Sequence, residues 1–135
     1  MTRKEFEELV FDTYSVKADY PFEEDFVTGV FRHEGSGKWF CIAMNISECK
    51  IRSFGEEQID VINLKCAPEV VESIAGIEKG IYRAYHMNKT HWLTVALDEC
   101  DVETVSWLLG ISYELTRGKI KTKSNGRKNN ARDSF

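Results

Sequence analysis

Residues 85–92 place aromatic, imidazole and cationic side chains next to one another near the middle of the chain. The apolar and β-branched residues on either side predict a β-hairpin that turns at Asn88-Lys89. Cations on such a hairpin can contact phosphates, and aromatic rings can stack on a base or a sugar. The expected cross-strand pairs are His86 with His91 on one face and Tyr85 with Trp92 on the other. The predicted nucleic-acid patch comprises Arg83, Tyr85, Asn88, Lys89, Thr90 and Trp92, although Tyr85 and Trp92 also fit the simpler role of packing partners.

A second polar pair lies in the strand-like run at residues 59–66. Asn63 and Lys65 alternate with Ile62 and Leu64, so the two-residue period of a strand predicts that they point away from the core. There they could bind an anion, with Lys65 joining the nucleic-acid patch, or simply face solvent. An alternative small-ligand site would be formed by Asn63, His86 and His91.

No motif in the chain indicates catalysis. The sequence contains no GxSxG, no P-loop and no HExxH, so we expect a non-catalytic protein without a cofactor. His86 and His91 have no carboxylate or cysteine at a spacing that would complete a metal site, so we predict no metal there.

The charge is divided unevenly along the chain. From Arg117 onward there are seven Lys or Arg and one Asp, a net +6, whereas residues 1–116 hold 11 basic and 21 acidic residues, a net −10. A basic segment can displace counterions from a nucleic-acid backbone with little structure of its own, which makes Lys119, Lys121 and Lys123 candidate contacts. The same segment also fits a solubilising appendage without a partner. The acidic body argues against strong DNA binding by the domain itself.

The elements that would carry these residues are a first helix, a run of strands and a last helix. Thr2-Arg3-Lys4-Glu5 has the spacing of a capping box, and an apolar stripe follows it. Strands are predicted at residues 26–33, 38–45 and 59–66, while residues 46–58 fit a short strand or a loop. Pro68 begins a short helix at residues 68–75, and Asp98 or Asp101 caps the last helix. Adjacent strands joined by short turns predict an α+β fold, with an antiparallel sheet covered on one face by the N- and C-terminal helices.

Several separated motifs in this order resemble the MmcQ/YjbR-like family, which has a CyaY-like α/β fold. The resemblance covers residues 1–116 as one domain and leaves 117–135 as a basic tail, which we expect to be disordered. The residues that carry it are Tyr20-Pro21-Phe22, Lys38-Trp39-Phe40, Asn63-Leu64-Lys65-Cys66-Ala67-Pro68-Glu69, the segment 85–92, and Ser112-Tyr113-Glu114-Leu115.

The resemblance implies a double-wing DNA-binding arrangement of hairpins, so DNA is the expected partner. Small-ligand, metal or protein binding on the same scaffold is the alternative. Frataxin-type proteins, which share this architecture, bind iron through acidic residues on the first helix. Here the similar acidic ridge would comprise Glu5, Glu7, Glu8, Asp12, Glu23, Glu24 and Asp25. Two departures from the family are Ala67, where an acidic helix cap is usual, and a longer connection at residues 46–58.

The expected setting is the cytoplasm, with no membrane partner. No apolar run approaches the roughly 20 residues of a membrane helix, and the N-terminus has no apolar signal-peptide core. The four cysteines form no CxxC pair and are expected to be reduced thiols. A monomer is expected.

Overall fold

A computed structural model of the protein describes residues 1–118. The elements in order are α1 (Arg3–Tyr14), β1 (Gly29–Arg32), β2 (Trp39–Ser47), a 3₁₀ turn (Glu48–Lys50), β3 (Gln58–Lys65), α2 (Pro68–Ile74), β4 (Ile81–Arg83), β5 (Trp92–Ala96) and α3 (Val102–Thr116). Of the predicted basic tail at residues 117–135, residues 119–135, with Lys119, Lys121 and Lys123, lie outside the described residues. Among the helices of residues 1–118, none combines the length and the apolar character needed to span a membrane.

The capping box at the start of α1 is present as the sequence predicts. The Glu5 amide donates to Thr2 Oγ1 at 3.1 Å, and the Thr2 amide donates to Glu5 Oε1 at 2.9 Å. Two amides that have no partner within the helix are satisfied in this way. The N-cap of α3 is Asp101, whose side chain accepts from the Thr104 amide at 2.8 Å. Of the two predicted caps, Asp101 is the one used.

The five strands form a single sheet in the order β1-β2-β3-β5-β4, and every neighbouring pair is antiparallel. The helices pack on one face of this sheet, where Phe6 of α1 meets Phe31 of β1 edge to face and Leu108 and Leu109 of α3 are buried. The predicted α+β fold, with the terminal helices on one face, is confirmed.

The opposite face of the sheet is also apolar, although loops cover it instead of helices. A second buried cluster lies there, comprising Val30, Ile42, Met44, Ile46, Ile59, Val61 and Ala96. Strand β2 therefore buries side chains on both of its faces, with Cys41 and Ala43 toward the helices and Ile42 and Met44 away from them. We call this second side the open face of the sheet.

The connection at residues 46–58 is mostly a loop. Strand β2 continues to Ser47, the 3₁₀ turn follows, and β3 begins at Gln58. Arg52 ties this loop to the residues that follow β5. It donates to Glu48 within the loop at 2.7 Å, and to Glu99 at 3.0 Å and Asp98 at 3.1 Å after β5. The predicted short strand around residues 50–52 is not formed, because Arg52 is committed to these carboxylates across the loop.

The predicted two-residue hairpin turn at Asn88-Lys89 is wrong. Strand β4 ends at Arg83 and β5 begins at Trp92, so residues 84–91 form a loop. Arg83 pairs with Leu93, whereas a turn at residues 88–89 would have paired it with Thr94. This shift by one residue moves the β4 side chains to the other face of the sheet. The predicted pairs of His86 with His91 and of Tyr85 with Trp92 are not formed.

Candidate ligand-binding groove

A groove of about 370 Å³ lies on the open face of the sheet, between the loop at residues 20–28 and the loop at residues 84–91. Its floor comes from Ile42 and Met44 on β2 and Asn63 on β3. One wall is built by Phe22, Asp25, Thr28 and Trp39, and the other by His86 and Met87. The volume is at the lower end of the range for small-molecule sites, and the lining is mostly apolar with a few polar groups, as such sites usually are.

The first wall is held in place by Asp25. Its Oδ1 accepts from the amides of Val27 and Thr28, both at 2.9 Å, which folds the loop into a tight turn. Arg3 of α1 donates to the Val27 carbonyl at 2.7 Å and ties the loop to the helix. The amides of Thr28 and Val27 lower the pKa of Asp25 from its usual value, so its carboxylate is ionised at neutral pH.

Trp39 connects this wall to the sheet. Its ring meets Phe22 edge to face, with 6.0 Å between ring centroids. The guanidinium of Arg32 lies 5.6 Å from the Trp39 centroid, and Arg32 Nε donates to Asp19 at 2.6 Å. Asp19 therefore offsets the charge of Arg32 beside this wall.

The second wall is fixed by hydrogen bonds between side chains of the sheet and the backbone of Tyr85. Asn63 Nδ2 donates to the Tyr85 carbonyl at 2.8 Å, and the Tyr85 amide donates to Thr94 Oγ1 at 2.8 Å. The Thr94 hydroxyl in turn donates to Asn63 Oδ1 at 2.5 Å. We refer to these three residues as the Asn63 clamp. Asn63 points away from the helices, as predicted, but it is buried with 1% of its surface exposed, so it is not a solvated strand residue.

The rest of the 84–91 loop uses its polar groups internally. Lys89 Nζ donates to the Ala84 carbonyl at 2.7 Å, and Asn88 Oδ1 accepts from the amides of Thr90 at 2.8 Å and His91 at 3.1 Å. His86 has a positive φ of 64° and its ring lies 4.0 Å from that of Tyr85, at the rim of the groove. The side chains of Asn88 and Lys89 are therefore used within a structured loop.

The sheet separates two of the cations predicted to act together. Lys65 pairs with Trp92 and Arg83 pairs with Leu93, which is the next residue along β5, so their side chains leave opposite faces of the sheet. Arg83 lies on the helix side, 3.5 Å from Glu72 of α2. The predicted patch therefore does not form one surface.

The three residues of the predicted ligand site are divided as well. Asn63 and His86 line the groove, whereas His91 lines a separate cavity of about 420 Å³ together with Lys65, Cys66 and Leu115. Trp92 packs against the buried cluster of the open face.

The acidic ridge predicted on α1 gains no support as a metal site, since within residues 1–118 no three His, Cys, Asp or Glu side chains are placed to hold a metal ion. A larger depression of about 530 Å³ beside α1 is lined by both acids and lysines, among them Glu7, Asp12, Lys4 and Lys17. Its mixed charge favours no particular ligand.

Sequence reasoning missed most of the groove. Phe22 and Trp39 enter the sequence analysis only as members of family motifs, and the sequence indicates no ligand-binding role for Ile42, Met44 or Met87. A signal was present in β2, where consecutive apolar residues replace the alternation expected of a strand with one solvated face. Such a run indicates that both faces of the strand are covered.

A model of the YjbR family matches residues 3–115 of the chain. The uncharacterized protein YyaQ of Bacillus subtilis is 33% identical over 118 residues, which cover 87% of this chain and 99% of that protein. These two similarities in sequence show which family the chain belongs to.

Solved structures agree with this assignment. The crystal structure of a Pseudomonas syringae protein has a TM-score of 0.83 and 40% identity, and covers 87% of this chain and all (100%) of that one. A solution NMR structure from Pseudomonas syringae has a TM-score of 0.81 and 37% identity, covering 93% and 100%. A Deinococcus radiodurans protein, at 24% identity, shares the fold with a TM-score of 0.65 over 91% of this chain and 83% of that one. The chain therefore belongs to the YjbR family, as the resemblance of its motifs predicts.

Proposed function

We propose that the protein is a non-catalytic binding protein whose site for a small organic ligand is the groove on the open face of the sheet. The observation that carries this proposal is Asn63, a buried amide at the floor of a largely apolar groove. Apolar walls supply the affinity of such a site, and a few well-placed polar groups orient the ligand. The proposal takes up the small-ligand alternative, with a different set of residues.

The chemistry of the groove supports binding and not catalysis. Asp25, the carboxylate of the rim, has a lowered pKa, whereas a general base that works near neutral pH needs a raised one. The thiols of Cys41, Cys66 and Cys100 are buried away from the groove, and burial raises the pKa of each, so they are poor nucleophiles.

The test is a screen of small organic fragments against the ¹⁵N-labelled full-length protein by NMR. The indole N–H signals of Trp39, Trp92 and Trp107 are assigned with single Trp→Phe variants. A groove ligand should shift the Trp39 signal and leave Trp107 unchanged, because Trp107 lies exposed on α3 on the other side of the sheet.

The matched variants are Phe22→Ala and Phe26→Ala. Both remove an aromatic ring from the same loop, but Phe22 lines the groove and Phe26, at 84% exposure, does not. Binding should weaken at least several-fold in Phe22→Ala and be unchanged in Phe26→Ala, since a ring that buries against the ligand contributes on the order of 1 kcal/mol or more. Equal effects of the two variants, or a screen that never moves Trp39, would refute the groove as the site.

DNA binding remains a second candidate because of the charge difference between the basic segment and the acidic body. A net +6 from residue 117 onward could bind phosphates without the sheet. Fluorescence anisotropy with labelled duplex DNA across a salt series tests this in the full chain. A Lys119, Lys121, Lys123→Gln variant should lose affinity and salt dependence, whereas replacing Lys4, Lys50 and Lys79 by Gln should not. If both triple variants behave like the unmodified protein, the basic segment is not a DNA-binding element.

A further inference from the structure

We infer that the ligand of the groove is a flat heteroaromatic molecule, uncharged or cationic, with a hydrogen-bond acceptor that meets the amide of Asn63. This inference rests on the proposed function and specifies the chemical class of ligand. Three independent features of the groove support it, namely its shape, a buried donor and the charge of its rim.

The shape of the groove suits a flat ring. Trp39 and Phe22 meet edge to face on one wall, and their arrangement offers aromatic surface to a ligand. Thioethers of Met44 on the floor and Met87 on the facing wall make favourable contacts with aromatic rings and adapt to their outline. A volume of about 370 Å³ accommodates a fused two-ring system with a small substituent.

The buried donor is the second amide hydrogen of Asn63. The orientation of this amide is fixed by its neighbours: the Tyr85 carbonyl can only accept, so it faces Nδ2, and Oδ1 receives the Thr94 hydroxyl. One hydrogen of Nδ2 is used in this way, and the other has no protein partner within residues 1–118. A buried donor without a partner is unfavourable, because it has lost its hydrogen bond to water. A ring nitrogen or carbonyl oxygen of a ligand would satisfy it.

The charge of the rim selects against anions. Asp25 lines the groove and is ionised at neutral pH, and it follows Glu23 and Glu24 in the same loop. The two arginines beside this wall are both paired with acids, Arg32 with Asp19 at 2.6 Å and Arg3 with Glu7 at 3.0 Å. A ligand that carries a carboxylate or a phosphate would meet the Asp25 carboxylate, while the two arginines beside this wall are already paired with acids. Free heteroaromatic bases and their uncharged derivatives therefore fit, and their phosphorylated forms do not.

The experiment compares three probes on the full-length protein by NMR titration, with the Trp39 indole signal as the readout. Indole and benzimidazole have the same shape. Benzimidazole has a second ring nitrogen, which is a hydrogen-bond acceptor that indole lacks. Benzimidazole-5-carboxylate adds a negative charge. We expect benzimidazole to bind about threefold to tenfold more tightly than indole, which corresponds to one net hydrogen bond. The carboxylate should bind more weakly than benzimidazole, and Phe22→Ala should weaken all three.

The possible failures are distinguishable. Equal binding of indole and benzimidazole would overturn the role of the Asn63 donor while leaving the groove as a binding site. Tighter binding of the carboxylate would overturn the inference about charge. If no probe moves the Trp39 signal while Trp92 and Trp107 remain visible, the ligand class is wrong, and the proposed function fails as well only if the fragment screen also leaves the Trp39 signal unmoved.

Discussion

The Thr94 hydroxyl donates to Asn63 Oδ1 at 2.5 Å, and these two side chains together bind both backbone polar groups of Tyr85. Asn63 lies on the central strand β3 and Thr94 lies opposite it on β5. In a regular hairpin the backbone of Tyr85 would pair with the backbone of the next strand. Here it bonds to these two side chains, and β4 ends at Arg83. These hydrogen bonds hold the loop that carries His86 and Met87, which is one wall of the groove.

Removal of the Asn63 amide should destabilise the fold. Asn63→Ala leaves the Tyr85 carbonyl and the Thr94 hydroxyl without their partner in a buried site, so we expect the free energy of unfolding to fall by about 2–4 kcal/mol. Urea denaturation of the full-length protein measures the change. The control is Asn45→Ala, which removes an exposed asparagine that bonds to Asp60 and Gln58 and should cost no more than about 0.5 kcal/mol. Equal losses in the two variants would contradict the importance of the clamp.

Asn63 and Thr94 should also be energetically coupled. Thr94→Val preserves the shape of the side chain and removes its hydroxyl, and the double variant with Asn63→Ala completes a mutant cycle. We expect a coupling energy of about 1–2 kcal/mol. Either single variant already removes the hydrogen bond between Thr94 and Asn63, so the double variant loses this bond only once. Additive effects within about 0.5 kcal/mol would show that the two side chains act independently.

The parts of the fold that were predictable are those decided by neighbouring residues. The box of Thr2 and Glu5 and the apolar stripe after it specify α1 without any distant contact. The turn at Asn88-Lys89 was mispredicted because Asn63, which lies 22 residues before Tyr85, takes part in deciding where β4 stops. Propensities within residues 85–92 contain no information about that bond. The shift by one residue then moved Arg83 away from the face on which it was expected.

The groove could not be predicted for a related reason. Its walls are loops that cross the open face of the sheet, and only the assembled sheet brings Phe22, Trp39 and Met87 to the same place. The sequence indicated the motifs that contain Phe22 and Trp39, but it did not indicate their common surface. The apolar character of both faces of β2 was the local sign that something covers the second face.

Arg52 should contribute more to stability than the exposed arginines. Its side chain is 15% exposed and meets three carboxylates, of Glu48, Asp98 and Glu99, as well as the Tyr82 hydroxyl at 3.4 Å. Arg52→Ala leaves these acids facing one another, so we expect a loss of about 1–3 kcal/mol in urea denaturation. Arg83→Ala breaks an exposed pair with Glu72 and should cost at most about 0.5 kcal/mol. The prediction fails if Arg83→Ala is the more costly change.

A better cap at residue 67 should stabilise α2. Ala67 occupies the N-cap position with extended backbone angles and offers no side-chain hydrogen bond to the helix. Ala67→Thr supplies a hydroxyl that can accept from the first turn, and we expect a gain of about 0.5–1 kcal/mol in the free energy of unfolding. Ala67→Val has the same size as the threonine variant without the oxygen, so it controls for packing. Thermal unfolding of both variants decides the matter, and a valine variant as stable as the threonine variant would exclude a capping effect.

His33 links the end of α3 to the sheet and should make stability depend on pH. The hydroxyl of Thr116 donates to the Ser112 carbonyl at 2.7 Å, so its oxygen accepts from His33 Nε2 at 2.8 Å. Burial lowers the pKa of His33 from its ordinary value of 6.5. A hydrogen bond to the Tyr113 backbone and the Glu114 carboxylate act in the opposite direction, while the charges of Arg117 and Lys38 add to the lowering.

Because the folded state takes up this proton less readily than the unfolded chain, stability should be complete above pH 6.5 and should fall as the pH drops below that value. The loss should level off once the pH is below the lowered pKa of the folded state. Urea denaturation across this range measures it. His33→Gln should flatten the dependence while keeping a side chain able to donate to Thr116, and His91→Gln, which removes an exposed histidine, should leave the dependence in place. If the pH dependence persists in His33→Gln and disappears in His91→Gln, the titrating group is His91 and not His33, and the prediction is refuted.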